Sequence, residues 1–289
     1  MFETLRYDVA DRVALITLDR PDKRNAYNTT MMRDFVAAVD RSDADDDVGC
    51  VLITGAGRAF CAGADLSSGD KSFERLASDP ARAGMRYGDL SRDGGGVGAL
   101  RLFDSLKPVV VAINGPAVGV GATMPLAADV RLASTSAKFG FVFTKRGIVP
   151  EAASSWFLPR IVGISRALEW TLAGRMVSAH EALEAGLVRS LHAPEDLPSA
   201  AMELARELAH AGAPVAVALT RQLMWRMLGA AHPMAAHRAD SRAIRARSGA
   251  PDTREGVQAF LAKREPHFAE KVSEGLPDIW PDPVNTHFY

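Results

Sequence analysis

Asn114-Gly-Pro-Ala-Val-Gly-Val-Gly-Ala122 follows directly on Pro108-Val-Val-Val-Ala-Ile113, and the fold turns on how these two runs are read. The first is β-branched and apolar, as expected of a strand buried on both faces. The second is a glycine-bearing turn that opens a small-residue helix near Val120. Amides at a helix start can hold negative charge. The same sequence of events occurs earlier in the chain. Val48-Gly-Cys-Val-Leu-Ile-Thr54 reads as a strand and leads into Phe60-Cys-Ala-Gly-Ala-Asp-Leu66, where Gly63 permits a tight bend that leaves the Ala64 amide pointing into space. Alone, that heptapeptide reads more readily as a connection whose glycine relieves crowding. Together, two strand-turn-helix corners ending in exposed amides are what an oxyanion hole requires.

Working outward, Val13-Ala-Leu-Ile-Thr-Leu18 is a further strand, ended by Asp19-Arg-Pro21. Apolar residues at Met31, Met32, Phe35, Val36 and Val39 recur at helical spacing, with Asn28, Thr29 or Thr30 available as cap. Strand, turn and helix therefore repeat, which predicts an α/β fold. Residues 67–98 turn polar and include Gly94-Gly95-Gly96, a run that reads as a mobile insertion too flexible to specify a core. Val130–Ala133 and Ala137–Phe141 are short strand candidates, and Pro150–Val162 a helix. Ser178-Ala-His-Glu181 is a capping-box pattern opening a helix that stops at Gly186. From there helices dominate. Leu197–Ala211 and Val215–Leu228 carry apolar faces with no strand to pack on, so an oligomer interface is expected to cover them. The organisation expected is a core over 1–196 and a helical oligomerisation region with a proline-broken surface tail over 197–289.

A chain of 289 residues, 47% apolar and 24% charged, can bury a sizeable core without staples, and its net charge of −1 leaves no basic footprint for nucleic acid or acidic lipid. A small molecule is the expected partner. Cys50 and Cys61 lack zinc-ligand spacing, no basic-then-apolar leader opens the chain, and no apolar run approaches the ~20 residues of a membrane span. A cytoplasmic location is expected. Gly119-Val-Gly121 and Gly55-Ala-Gly57 lack the third glycine of a dinucleotide fingerprint, and no Walker A lysine follows either. The histidines show no metal spacing: His180-Glu-Ala-Leu-Glu184 lacks the second histidine of a zincin helix. No Gly-x-Ser-x-Gly elbow occurs. Cys61, beside the expected hole, reads as a buried structural thiol.

The two corners, with Ala127-Ala-Asp129, resemble the enoyl-CoA hydratase/isomerase (crotonase) superfamily. The resemblance extends to Arg20-Pro-Asp-Lys-Arg-Asn-Ala26, to Ala179-His-Glu-Ala-Leu-Glu-Ala-Gly-Leu-Val188 and to Glu255-Gly-Val-Gln-Ala-Phe-Leu-Ala-Lys-Arg264. It implies a spiral of ββα units with a C-terminal helical trimerisation region, assembly as a homotrimer or dimer of trimers, and coenzyme A thioester substrates from fatty acid metabolism. No separate cofactor or metal is implied; coenzyme A arrives as part of the substrate. By the family pattern the hole amides fall on Ala64 and Val120. The adenine end of coenzyme A falls near Ala62, Ala64, Asp65, Leu66 and Ser67, and Arg24 and Lys263 are candidates for its phosphates.

Hydratases of this family use two glutamates, and by the same pattern their positions fall here on Thr123 and Phe143, neither of which shuttles protons at neutral pH. One carboxylate remains in Gly147-Ile-Val-Pro-Glu-Ala-Ala-Ser-Ser-Trp156. From its neighbours alone, Glu151 reads equally as a first-turn residue that favours the helix dipole or as a buried acid/base. Pro-Glu-x-x-Ser-Ser resembles the segment bearing the single catalytic glutamate of peroxisomal-type Δ3,Δ2-enoyl-CoA isomerases, which implies the second role. Phe139, Phe141, Phe143 and Trp156 are candidates to line an acyl pocket, although such spacings more often mark plain core. A hydratase or hydrolase of the same fold, using Glu151 with an ordered water, and a catalytically silent acyl-CoA binding protein are the alternatives.

Overall fold

The structure, a computed structural model, describes residues 1–79, 86–87 and 90–280. The chain begins with a hairpin of β1 (Leu5–Ala10) and β2 (Val13–Leu18), paired antiparallel. Helix α1 (Thr29–Ala44) follows, with the Asn28 side chain accepting from the Met31 amide as its cap, and leads into β3 (Cys50–Gly55). Short elements α2 (Ser72–Ser78), β4 (Arg86–Tyr87) and β5 (Leu90–Ser91) precede α3 (Gly94–Phe103). Then come β6 (Val109–Ile113), β7 (Ala117–Val118), the single turn α4 (Val120–Thr123), β8 (Val130–Ser134) and β9 (Lys138–Gly140). The remainder runs α5 (Ser154–Val162), α6 (Ile164–Ala173), β10 (Met176–Ser178), α7 (Ala179–Glu184), β11 (Ser190–His192), α8 (Leu197–Ala209), α9 (Pro214–Met227), α10 (Pro233–Arg247), α11 (Pro251–Ala262) and α12 (Val272–Gly275).

Two layers of strand grow side by side. The main sheet has the order β1-β2-β3-β6-β8-β11, parallel from β2 onward. The second layer has β7, β9 and β10, and is extended on its other side by single bridges from Cys61 to Ala117 and from Ala64 to Tyr27. Each turn of the chain thus lays one strand in the first layer and one extended segment in the second before a helix returns it. That is the spiral of ββα units.

The pleat divides the main sheet's side chains between two cores. Val51, Ile53, Val109 and Val111 face α1 and its Met31, Met32 and Phe35. Cys50, Leu52, Val110 and Ala112 face α8 and its Leu197, Ala201, Leu204 and Ala205. Here the expectation of helices without a sheet fails for α8: it closes the second face of the sheet, so the region from residue 197 begins inside the core. The apolar face of α9 is anchored differently. Its Arg221, 6% exposed, donates to Asp129 Oδ2 at 2.9 Å and to the carbonyls of Leu102, Phe103 and Ser105, and Trp225 Nε1 donates to Asp129 Oδ1 at 2.6 Å. Asp129 Oδ2 also accepts from the Val109 amide, so one carboxylate joins α9 to the start of β6.

Two further expectations are corrected. Gly94-Gly95-Gly96 is not a flexible tether: the three glycines are buried as the first turn of α3, capped by the Asp93 carboxylate. The rest of the expected insertion lies partly outside the described residues. The helix expected from Pro150 starts only at Ser154, because Ala152 and Ala153 take left-handed conformations with φ of 59° and 52°. Ser178 caps its helix as expected, its hydroxyl accepting from the Glu181 amide, but the Glu181 carboxylate accepts from Trp170 Nε1 and Arg175 instead of closing the box. The tail keeps Ile279 buried beside Val215 and Leu219, and its last prolines lie outside the described residues. Among the described residues no helix is long and apolar enough to cross a membrane.

Candidate active site

A cavity of about 320 Å³ opens where the two corners meet. At the first corner Tyr27 N–H donates to the Gly63 carbonyl at 2.8 Å and the Asp65 amide donates to the Tyr27 carbonyl at 2.9 Å. In a trans peptide N–H and C=O point in opposite directions, so the Ala64 amide, which shares a peptide group with the Gly63 carbonyl, faces away from Tyr27. Gly63 has φ of 100°, a conformation only glycine adopts without strain.

The second corner repeats this arrangement. The Gly119 carbonyl accepts from the amides of Ala122 and Thr123 at 2.8 and 3.0 Å, so the Val120 amide on the same peptide group is turned the other way. The Val118 amide donates to the Cys61 carbonyl at 2.9 Å and fastens one corner to the other. Ala64 and Val120 both line the cavity. Among the described residues neither amide donates a hydrogen bond within the protein. Two such donors are suited to a developing oxyanion.

Glu151 enters the same cavity on the loop before α5. Burial pushes its carboxyl up to about 8, the neighbouring Asp93 carboxyl adds to the rise, and a hydrogen bond from Thr123 Oγ1, at 2.5 Å from Oε1, opposes it. The other oxygen, Oε2, lies over Gly95. The loop is held by the Ala152 amide, which donates to Asp93 Oδ1 at 3.1 Å, and by the Ser154 amide, which donates to the Glu151 carbonyl at 3.0 Å. Two adjacent non-glycine residues in the left-handed region, each costing ~1–2 kcal/mol, directly follow this carboxylate. A carboxyl that titrates near neutrality can both take and return a proton.

Of the residues expected here, Ala62, Ala64, Leu66, Val120 and Glu151 line the cavity. Asp65, Ser67, Arg24 and Lys263 do not. Asp65 is committed to Arg20, whose guanidinium lies 2.9 Å away, and to the Ser67 amide. Arg24 is exposed, although its carbonyl accepts from the Ala62 amide, and Lys263 is exposed at the end of α11. Of the four aromatic candidates only Phe143 lines the cavity. Phe141 stacks on Trp170, Trp156 packs edge-on against Phe157, and Phe139 is core. Sequence reasoning missed Tyr27, Phe73, Asp93, Arg92 and Arg146, all of which face the cavity. Asp93 alone had a legible signal, an aspartate placed as helix cap before a run it can close. Cys61 is buried as expected, its thiol pushed up to about 12 by burial. Among the described residues no group of His, Cys, Asp and Glu could hold a metal ion.

A family model described as enoyl-CoA hydratase/isomerase matches residues 8–271. The chain belongs to the enoyl-CoA hydratase/isomerase family. It is 40% identical over 267 residues to an enoyl-CoA hydratase of Alternaria alternata, a match covering 92% of this chain and 86% of that one. It is 35% identical to the 1,2-epoxyphenylacetyl-CoA isomerase of Escherichia coli, over 94% of this chain and the whole of the relative. The crystal structure of an enoyl-CoA hydratase from Bacillus anthracis superposes with a TM-score of 0.79 at 30% identity, covering 92% of this chain and 99% of that one. Membership of the enoyl-CoA hydratase/isomerase family agrees with the two-layered spiral. Its similar members carry both hydratase and isomerase names.

Proposed function

We propose that the protein is a Δ3,Δ2-enoyl-CoA isomerase, acting on coenzyme A thioesters with Glu151 as its single acid/base. The observation that carries this reading is the carboxyl of Glu151, raised to about 8 within the cavity that the Ala64 and Val120 amides also line. Glu151 removes a C2 proton from a 3-enoyl thioester, and the electron pair of the broken C–H bond moves into a dienolate. The Ala64 and Val120 amides hold its oxygen, and Glu151 returns the proton at C4. Thr123 and Phe143 supply no second proton shuttle. The adenine end of coenzyme A lies along Ala62 and Ala64–Ser67, with Arg24 and Lys263 meeting phosphates. The family's habit of oligomerising, together with exposed Ile244, Phe260 and Leu261 on α10 and α11, supports a homotrimer or dimer of trimers. Replacing Glu151 by Gln should abolish conversion of 3-enoyl to 2-enoyl thioester while binding persists; undiminished turnover would sink the proposal.

One observation favours hydration as a second reading: Asp93 brings another carboxylate to the cavity beside Glu151, from a position outside the family's glutamate pair. Product analysis on a 2-enoyl-CoA in ¹⁸O-labelled water separates the two, since only a hydratase places the label at C3.

A further inference from the structure

Thr123 is fully buried, and its single hydroxyl proton has two acceptors in reach. Glu151 Oε1 lies 2.5 Å from Thr123 Oγ1 and the Gly119 carbonyl oxygen 3.1 Å from it. That carbonyl is the other end of the peptide group whose N–H is the Val120 amide. We infer that Thr123 is a positioning residue that links the charge on Glu151 to the donor strength of the Val120 amide, through the Gly119 carbonyl. The inference rests on the isomerase reading only in taking Glu151 as the group that gains the substrate proton.

The two carboxyl oxygens have separate surroundings. Oε1 faces Thr123, Oε2 lies over Gly95, and the Asp93 carboxyl hydrogen-bonds the same Glu151 side chain. While the carboxylate is ionised, the Thr123 hydroxyl donates to Oε1, the more basic acceptor, as a charge-assisted bond. When the C2–H bond breaks, its electron pair enters the enolate and its proton joins Oε2. Oε1 then becomes the carbonyl oxygen of a neutral acid and a weaker acceptor. The hydroxyl turns to the Gly119 carbonyl, with no bond to Thr123 made or broken. A further donor on that oxygen polarises the peptide group, so the Val120 N–H strengthens as the enolate oxygen acquires charge. The reverse turn occurs when the proton leaves.

The competing account is an ordinary back-bond from a helical threonine to the carbonyl four residues earlier. It explains the Gly119 contact and leaves the shorter Glu151 contact incidental. The other ionisable groups lining the cavity are Asp93, which acts directly on Glu151, and Tyr27, Arg92 and Arg146; the protonated Cys61 thiol also lies within the influence of Glu151. Among the described hydrogen bonds none runs from Asp93, Arg146 or Cys61 to the Gly119 carbonyl.

The test follows the carbonyl ¹³C resonance of bound butyryl-CoA labelled at C1, a saturated probe that moves downfield as the hole donates more strongly. Thr123→Val removes the hydroxyl at constant volume. In the Glu151→Gln background, where the side chain is neutral, it should move the resonance upfield. In the otherwise wild-type protein, above the titration of Glu151, it should leave the resonance in place. Equal movement in both backgrounds, or none in either, overturns the inference. Thr123→Val should also lower kcat for C2–H exchange by about 10–100-fold with KM nearly unchanged, and Thr123→Ser should restore most of it. Should the valine variant fail to fold, Thr123→Ala serves in the same comparison. Absence of C2–H exchange in the wild-type protein would overturn the isomerase reading alone, because the resonance comparison needs no turnover.

Discussion

Gly95 has no side chain because Glu151 occupies the space one would need: a β-carbon there would lie 1.7 Å from Oε2. Gly95→Ala therefore displaces the carboxylate. In a helix the change itself favours folding by ~0.5–1 kcal/mol, so stability should be roughly kept while turnover falls about 100-fold or more. Thermal unfolding and single-turnover kinetics on the same preparation check this. Retained turnover would show that the position of Glu151 over the first turn of α3 is not the working one.

The rate should carry the signature of the raised carboxyl. Glu151 must be ionised to take the C2 proton, so kcat/KM should rise with pH and level off above about 8. An isomerase of this chain whose rate is flat between mildly acidic pH and 8 would exclude Glu151 as the base.

Stability should move in the opposite sense. A carboxyl raised in the folded state binds its proton more tightly there than in the unfolded chain. Its contribution is therefore most favourable below the ordinary 4.5 and is lost as pH rises towards 8. Relative to wild type, Glu151→Gln should gain stability progressively across that window, by on the order of a few kcal/mol at its upper end. Urea unfolding of both proteins at mildly acidic and mildly alkaline pH measures the difference.

Both corners were readable in the sequence because their causes are local: a β-branched run, a glycine with an unusual φ, a small-residue turn. Glu151 was readable as a residue, but its setting was not. Nothing local announces that Ala152 and Ala153 will be left-handed, since alanine ordinarily continues a helix; the Ser154 bond to the Glu151 carbonyl and the Asp93 bond to Ala152 are closed only in the folded chain. Gly94-Gly95-Gly96 misleads for a similar reason. Bare glycines suggest freedom, and here Gly95 reflects crowding by a carboxylate 56 positions further along the chain and Gly96 crowding by the Asp93 cap. Helix α8 misleads because its partner strands were passed far earlier.

Arg221 offers a test of the scaffold apart from chemistry. It is buried, pairs with Asp129 and serves three carbonyls at the end of α3. Arg221→Ala leaves the part-buried Asp129 without its cation and three carbonyls without a donor, and should cost ~1–3 kcal/mol. Arg221→Lys should recover part of this, lacking the forked geometry. Chemical denaturation gives both values; a loss below ~1 kcal/mol would mean that the network contributes little.

Neither thiol should react in the folded protein. Burial pushes Cys61 up to about 12 and raises Cys50 as well, so at mildly alkaline pH the nucleophilic thiolate is scarce and enclosed. Iodoacetamide should label both only after denaturation, as mass spectrometry can show. Rapid native labelling of Cys61 with loss of turnover would reopen its role.

The two amides stand on neighbouring turns of one spiral, their separation fixed where Cys61 bridges Ala117. The carboxylate comes from elsewhere, on the loop before α5. The two corners and the carboxylate thus come from separate segments of the chain that meet at Thr123. A few substitutions in the loop from Gly147 to Ser154 can give such a protein a new reaction without disturbing the strands that hold it together.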